Sequence, residues 1–219
     1  MRKTLTAILF LFSIMQTNAQ LSSVKKLKDV KSDDNYYDAV KNLVEHYGVL
    51  GIEEVRQGFN YFPAKPLTHR SFAIVLVTAL DKVEDKFNHH PAKMTERTKD
   101  SLLHIFTKKS LKGYADSAVK DLAGYAQYKD VNNDDPDYAN IKKLTNYYRL
   151  KLGDTYNTFS PDMPMTEKEL AKIFVEYFGM KSIVSRASNA PATRGKWAIY
   201  LDALMEHLTE SATDLITSQ

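Results

Sequence analysis

Three groups of side chains in this 219-residue chain have types and spacings that chemistry could use. Asp130-x-Asn132-x-Asp134 opens like a calcium loop, in which alternating oxygen-bearing side chains converge on one cation. The glycine such a loop needs at its centre is missing, and its twelfth place holds Ile141 instead of a bidentate Glu. The triplet is therefore expected to cap a helix, because carboxylates stabilise helix N-termini. His89-His90 offers two imidazoles, but no further His or carboxylate completes a metal site at helical spacing, and a solvated loop before Pro91 is the expectation. Glu53-Glu54 is a carboxylate pair of the kind glycoside hydrolysis uses, with nothing to fix a second carboxylate opposite it. His46, His104 and His207 occur singly and read as surface or boundary positions on helices. The chain lacks a phosphate-cradling glycine loop, a Gly-x-Ser-x-Gly elbow and a His-Glu-x-x-His pair, and having no Cys it cannot perform thiol catalysis. A non-catalytic protein is expected, with no metal and no cofactor.

The elements that would position side chains are announced by an internal repeat. Lys28-Asp29-Val30, then Asp33-Asp34, Tyr37, Val40, Leu43 and Tyr47, is matched 101 positions later by Lys129-Asp130-Val131, Asp134-Asp135, Tyr138, Ile141, Leu144 and Tyr148. Apolar steps of three and four place each set on one helix face. Past these helices the offset falls to 98, so the first copy has a connection three residues longer between Tyr47 and Tyr61. Tyr61-x-Pro63, Pro66, Thr68 and Ala73 then match Phe159-x-Pro161, Pro164, Thr166 and Ala171. Each copy is thus helix, extended loop, helix over about fifty residues, a period typical of units that bury their apolar faces by stacking.

The loop residues follow from backbone chemistry. Each proline fixes its own φ and pushes the preceding residue towards extended geometry, which keeps Pro63 to Pro66 and Pro161 to Pro164 out of either helix. Thr68 and Thr166 are expected N-caps, with Glu169 completing a capping box in the second copy and Ser71 in that place in the first. Phe72, Val75, Leu76, Ala79 and Leu80, and likewise Leu170, Ile173, Phe174, Tyr177 and Phe178, form the helix stripes that face a core.

The order Lys-Asp-Val, amphipathic helix, aromatic-x-Pro loop and Pro-[Leu/Met]-Thr-x-x-[Ser/Glu]-[Phe/Leu]-Ala resembles the S-layer homology domain, over residues 27–82 and 128–180. The resemblance implies an all-α fold of helix–loop–helix repeats of S-layer-homology type, packed with additional helices. It also implies a protein associated with the cell envelope through cell-wall polysaccharide or peptidoglycan-linked glycan. The family's ligand-binding signature is Thr-Arg-Ala-Glu or a close variant at the start of the second helix, where free N–H groups and a guanidinium would hold a carboxylate. The matching stretches here are Thr68-His69-Arg70-Ser71 and Thr166-Glu167-Lys168-Glu169. Arg70 lies one place further on, about 100° around the helix, and Glu167 reverses the charge. Thr68, His69 and Arg70, with Thr166 and Lys168, are the expected ligand-binding residues.

The first nineteen residues, with Arg2-Lys3, an apolar run from Leu5 to Met15 and Thr17-Asn18-Ala19, have the pattern of a secretory signal peptide, which predicts export to the periplasm, envelope or cell surface. Taking Arg2 and Lys3 from the 30 basic residues leaves 28 against 27 acidic ones, a near-neutrality that argues against nucleic-acid binding. No later stretch is apolar enough to cross a membrane. Residues 83–127 read as an intervening helical segment and 185–193 as a linker. Residues 194–217 form a C-terminal amphipathic helix carrying Trp197, Leu201, Leu204, Leu208, Ala212 and Leu215. That helix is expected to pack back on the repeats or to serve a protein partner.

Overall fold

Proline at 63, 66, 161 and 164 keeps each loop out of a helix, and the second helix of each copy starts only beyond these residues, at His69 and Glu167. The computed structural model describes residues 23–50, 53–55, 58–88, 128–148, 150, 152, 158–180 and 187–217. The expected signal peptide, His89-His90, His104 and nearly all of the intervening segment 83–127 lie outside the described residues, as do the side chains of Glu53 and Glu54.

The described structure is mostly helical. Helix α1 (Tyr37–Lys41) continues as a π-helical turn (Asn42–His46), followed by α2 (His69–Asn88), α3 (Tyr138–Asn146), α4 (Glu167–Glu176) and α5 (Arg194–Thr217). The longer connection of the first copy holds an element that helical periodicity does not announce. Strands β1 (Glu53–Val55) and β2 (Gly58–Asn60) pair antiparallel, with Glu54 opposite Phe59. Leu27 bridges Phe59, tying the start of the copy to this ribbon.

The two Lys-Asp-Val motifs have a common physical role. Phe62 (φ 55°) and Ser160 (φ 54°) occupy the left-handed backbone region at matching places in the two loops, a conformation costing roughly 1–2 kcal/mol for an L-residue. The Asp29 carboxylate accepts the N–H groups of Tyr61 and Phe62 at 2.9 and 2.6 Å. Asp130 does the same for Phe159 and Ser160, at 2.9 and 2.6 Å. Asp130 therefore clamps its loop. The expected cap on the following helix is corrected, since the N-cap of α3 is Asp137, which makes no side-chain cap bond.

The loops meet in a closed ring. Leu67 N–H donates to the Ala192 carbonyl, Ala192 N–H to Met165, and Met165 N–H to Leu67, each at 2.8 Å. Ala192 belongs to the stretch expected to be a linker, and that expectation is corrected for its described part, 187–193. Pro191-Ala192-Thr193 forms the third arm of a threefold arrangement, bridged to Thr166 on one side and Pro66 on the other. Its apparent looseness in sequence comes from lacking large apolar residues, but backbone hydrogen bonds hold it in place and need no side-chain bulk.

The core lies beneath this ring. Helix α2 packs on α3, and α5 packs on α1 and α2. Trp197 of α5 is buried against Phe72 of α2 and Phe174 of α4, with ring centroids 4.9 and 6.0 Å apart. Leu201, Leu204, Leu208 and Ala212 are buried in the same succession that marked α5 as amphipathic. At the other end of α2, Asp81 accepts from Lys143 at 2.7 Å and from the Tyr148 hydroxyl, while Glu84 accepts from Tyr147 at 2.6 Å. Burial, then the Asp81 hydrogen bond, pushes the Tyr148 phenol well above its usual range.

Candidate functional site

The residues expected to bind ligand all stand at the starts of α2 and α4, against the ring. Thr166 Oγ1 accepts the Glu169 N–H at 3.1 Å, and Thr68 Oγ1 accepts the Ser71 N–H at 3.2 Å while donating to Ser71 Oγ at 3.1 Å. Thr193 Oγ1 accepts the Lys196 N–H at 3.3 Å, so the third arm ends in the same cap.

The next two N–H groups of each helix are also engaged. His69 and Arg70 donate to the Met163 and Pro161 carbonyls, Glu167 and Lys168 to Ala190 and Ser188, and Arg194 and Gly195 to Lys65 and Pro63. The expectation of free helix-start N–H groups waiting for an anion is thereby corrected. Each helix start is capped by the loop of the next copy around the ring, which leaves ligand contact to side chains.

Side chains at the first place of each helix, the second place of the motif that opens with Thr, pair across the same junctions. His69 is buried, with Nδ1 2.7 Å from the Phe159 carbonyl oxygen and Nε2 3.1 Å from Glu169 Oε1. Glu167 accepts from Lys196 Nζ at 2.5 Å and from Ser188 Oγ at 2.9 Å. Arg194 lies over the Tyr61 ring at 5.0 Å, and the Tyr61 hydroxyl donates to the Arg194 carbonyl. The charge at the second place therefore tracks its neighbour: His69 faces Glu169, and Glu167 faces Lys196. The Glu167 carboxyl is held below the usual carboxylate range by its bond to Lys196 and then to Ser188. His69, expected to bind ligand, is instead buried as a bridge between copies.

Arg70 sits on the same junction, further out. Its Nη1 donates to Asp135 and Asp137 at 2.8 and 2.7 Å, and its Nε to Asp162 at 3.3 Å. Those bonds hold the guanidinium above its ordinary value and the Asp135 carboxyl below its own. Arg70 thus joins α2 to the approach to α3 and to the second loop. At the equivalent place on α5 stands Gly195, where a Cβ would meet Tyr36 Cδ1 at 2.8 Å and the Pro63 carbonyl at 3.3 Å. The glycine lets Tyr36 close in where Arg70 reaches Asp137.

Of the five expected ligand-binding residues, Lys168 alone has an exposed side chain with no ion pair among the described residues. The structure brings Thr68, His69 and Arg70 together with the second loop, and Thr166 and Lys168 together with the third. Sequence reasoning missed the third arm. Its signal was present in Pro191-x-Thr193-x-x-x-Trp197-Ala198, which repeats Pro66-x-Thr68-x-x-x-Phe72-Ala73 and Pro164-x-Thr166-x-x-x-Leu170-Ala171. No Lys-Asp-Val helix precedes that third loop within the few residues after Met180, so the spacing of whole copies does not reveal it.

No described helix is long and apolar enough to cross a membrane, and the described residues hold no cluster of three or more His, Asp or Glu side chains arranged for a metal. No family model matches the chain, and neither a curated protein nor a solved structure is significantly similar to it.

Proposed function

We propose that this chain is an exported, non-catalytic cell-envelope protein whose S-layer-homology-like copies bind cell-wall or envelope glycan. The observation that carries this reading is the ring at Leu67, Met165 and Ala192, which gathers three Pro-x-Thr loops and three capped helix starts around one axis. It fits the stacking of helix–loop–helix copies that the sequence resemblance implies, and the described part of the third unit is a loop and a helix. Arg194 supplies, in that third unit, the Arg after Thr that the resemblance leads one to expect. Because helix-start N–H groups are engaged, the glycan contact falls to side chains at the rims, and Lys168 is an exposed cation there for an anionic sugar.

Co-sedimentation of the purified chain with cell-wall sacculi tests the reading. Enrichment is expected, with Lys168→Glu reducing it several-fold at unchanged melting temperature. No enrichment of the unaltered chain removes the glycan reading.

The saturation of Arg70 by Asp135, Asp137 and Asp162 favours a second reading, in which the copies keep their architecture as a protein–protein scaffold. A chain that ignores sacculi and elutes as a defined oligomer by light scattering would support it.

A further inference from the structure

We propose that His69 is a doubly protonated latch between the first two copies, closed while the ring carries both protons and loosened when it loses one. The geometry is the reason. The ring has no exposure to solvent, and each nitrogen faces an oxygen. The Phe159 carbonyl is an obligatory acceptor. Glu169 Oε1, 3.1 Å from Nε2, is the second acceptor. A neutral imidazole has one N–H and would set a lone pair against one of these oxygens; an imidazolium satisfies both.

Neither oxygen can easily turn away. Phe159 is fixed through its own N–H by Asp130, and Glu169 lies in the first turn of α4, where its N–H donates to the capping Thr166 hydroxyl. The groups facing the ring come from every packed element. From α4 there is Glu169, with Lys172 acting on that carboxylate; from the second loop, the backbone of Phe159 and Ser160. Tyr128 packs on the Phe159 ring, and on α2 itself the adjacent Arg70 is neutralised by its three aspartates. Glu169 is the one facing group in this set whose charge complements the imidazolium.

Burial is the largest influence on His69 and works against its charge, but the bonds to Glu169 and to the loop carbonyls outweigh it, so its pKa is raised above 6.5. Glu169 is lowered from 4.5, first by its bond to His69 and against burial. The signs define a window. The His69 contribution is complete below about pH 6.5 and is lost as pH rises through its raised folded value. The Glu169 contribution is complete above about pH 4.5 and is lost as pH falls through its lowered value. The junction is strongest between these limits and opens on the alkaline side. This holds whatever the chain binds.

Long-range ring ¹H–¹⁵N correlation on the labelled full chain tests the latch directly, with His69 assigned by its contact to the Phe159 ring. At pH 6.5, where an ordinary imidazole is half protonated, the His69 ring is expected to be predominantly doubly protonated. Glu169→Gln should move its titration to lower pH and flatten the fall of melting temperature between pH 6.5 and 9. A ring half protonated or less at pH 6.5, or a titration unchanged by Glu169→Gln, would overturn the proposal. If the variant does not fold, the ring state of the unaltered chain decides alone.

Discussion

Asp29 and Asp130 show how much one side chain can determine in this molecule. Each carboxylate accepts two consecutive loop N–H groups, and each pair of bonds spans the residue with positive φ. Hydrogen bonds to a charged group contribute about 1.5–3 kcal/mol each when the partner would otherwise be left unsatisfied. Asp29→Ala is therefore expected to cost about 2–4 kcal/mol, with Asp29→Asn recovering part of it, measured as a fall in the denaturant midpoint at constant slope. An effect within about 0.5 kcal/mol, the range of ordinary surface substitutions, would mean that the loop holds its shape without the clamp. The sequence made the repetition of Lys-Asp-Val plain but not its purpose. A carboxylate eight residues before the nearest helix start and 32 before the loop it clamps looks like part of a helix cap, and only folding brings Asp29 to Tyr61.

Among the elements, α5 docks closely at its first turn. Its first turn lies against Tyr36 and the Pro63 carbonyl with no space for a methyl group at Gly195. Gly195→Ala gains helix propensity of about 1 kcal/mol, while overpacking costs typically 1–3 kcal/mol. The clash is with an aromatic ring and a backbone oxygen, neither able to yield cheaply, so net destabilisation is expected. In a Tyr36→Ala background the same substitution should be neutral or stabilising. A double-mutant cycle with no coupling would show that α5 does not dock on Tyr36. The helix itself was legible from its periodicity. Its origin in a third Pro-x-Thr loop was legible too, once the half-copy is compared with the other two. The ribbon of β1 and β2 was not, because two three-residue strands in a connection carry no periodic pattern.

At the scale of the whole molecule, the ring makes three arms mutually dependent. Removing residues 187–219 would take away one arm and, with it, the buried Trp197, Leu201, Leu204, Met205 and Leu208. At about 1.5–3 kcal/mol for each large side chain, that is roughly 10 kcal/mol of burial, comparable with the 5–15 kcal/mol that stabilises a typical domain. A chain ending at residue 186 is expected to lose its cooperative melt. In the full chain, Trp197 fluorescence and far-ultraviolet circular dichroism should report one coincident unfolding transition, since the only Trp touches Phe72 and Phe174 at once. A stably folded truncation would return 187–193 to the status of a linker.

Composition, periodicity and proline placement by themselves determined that the chain builds helices, where two of its copies lie and which threonines cap them. These are local properties, governed by backbone stereochemistry and by the spacing of apolar side chains. Which groups are available for a partner was decided by the tertiary structure. The helix-start N–H groups look open in sequence because their acceptors lie tens to more than a hundred residues away, in the loop of the next copy. His69 and Glu169 are separated by 100 residues and form a buried pair only when α2 and α4 meet at the ring. The two Pro-x-Thr loops recognised first remain the clearest mark of the architecture, but their chemistry is directed inward, towards each other and a third arm.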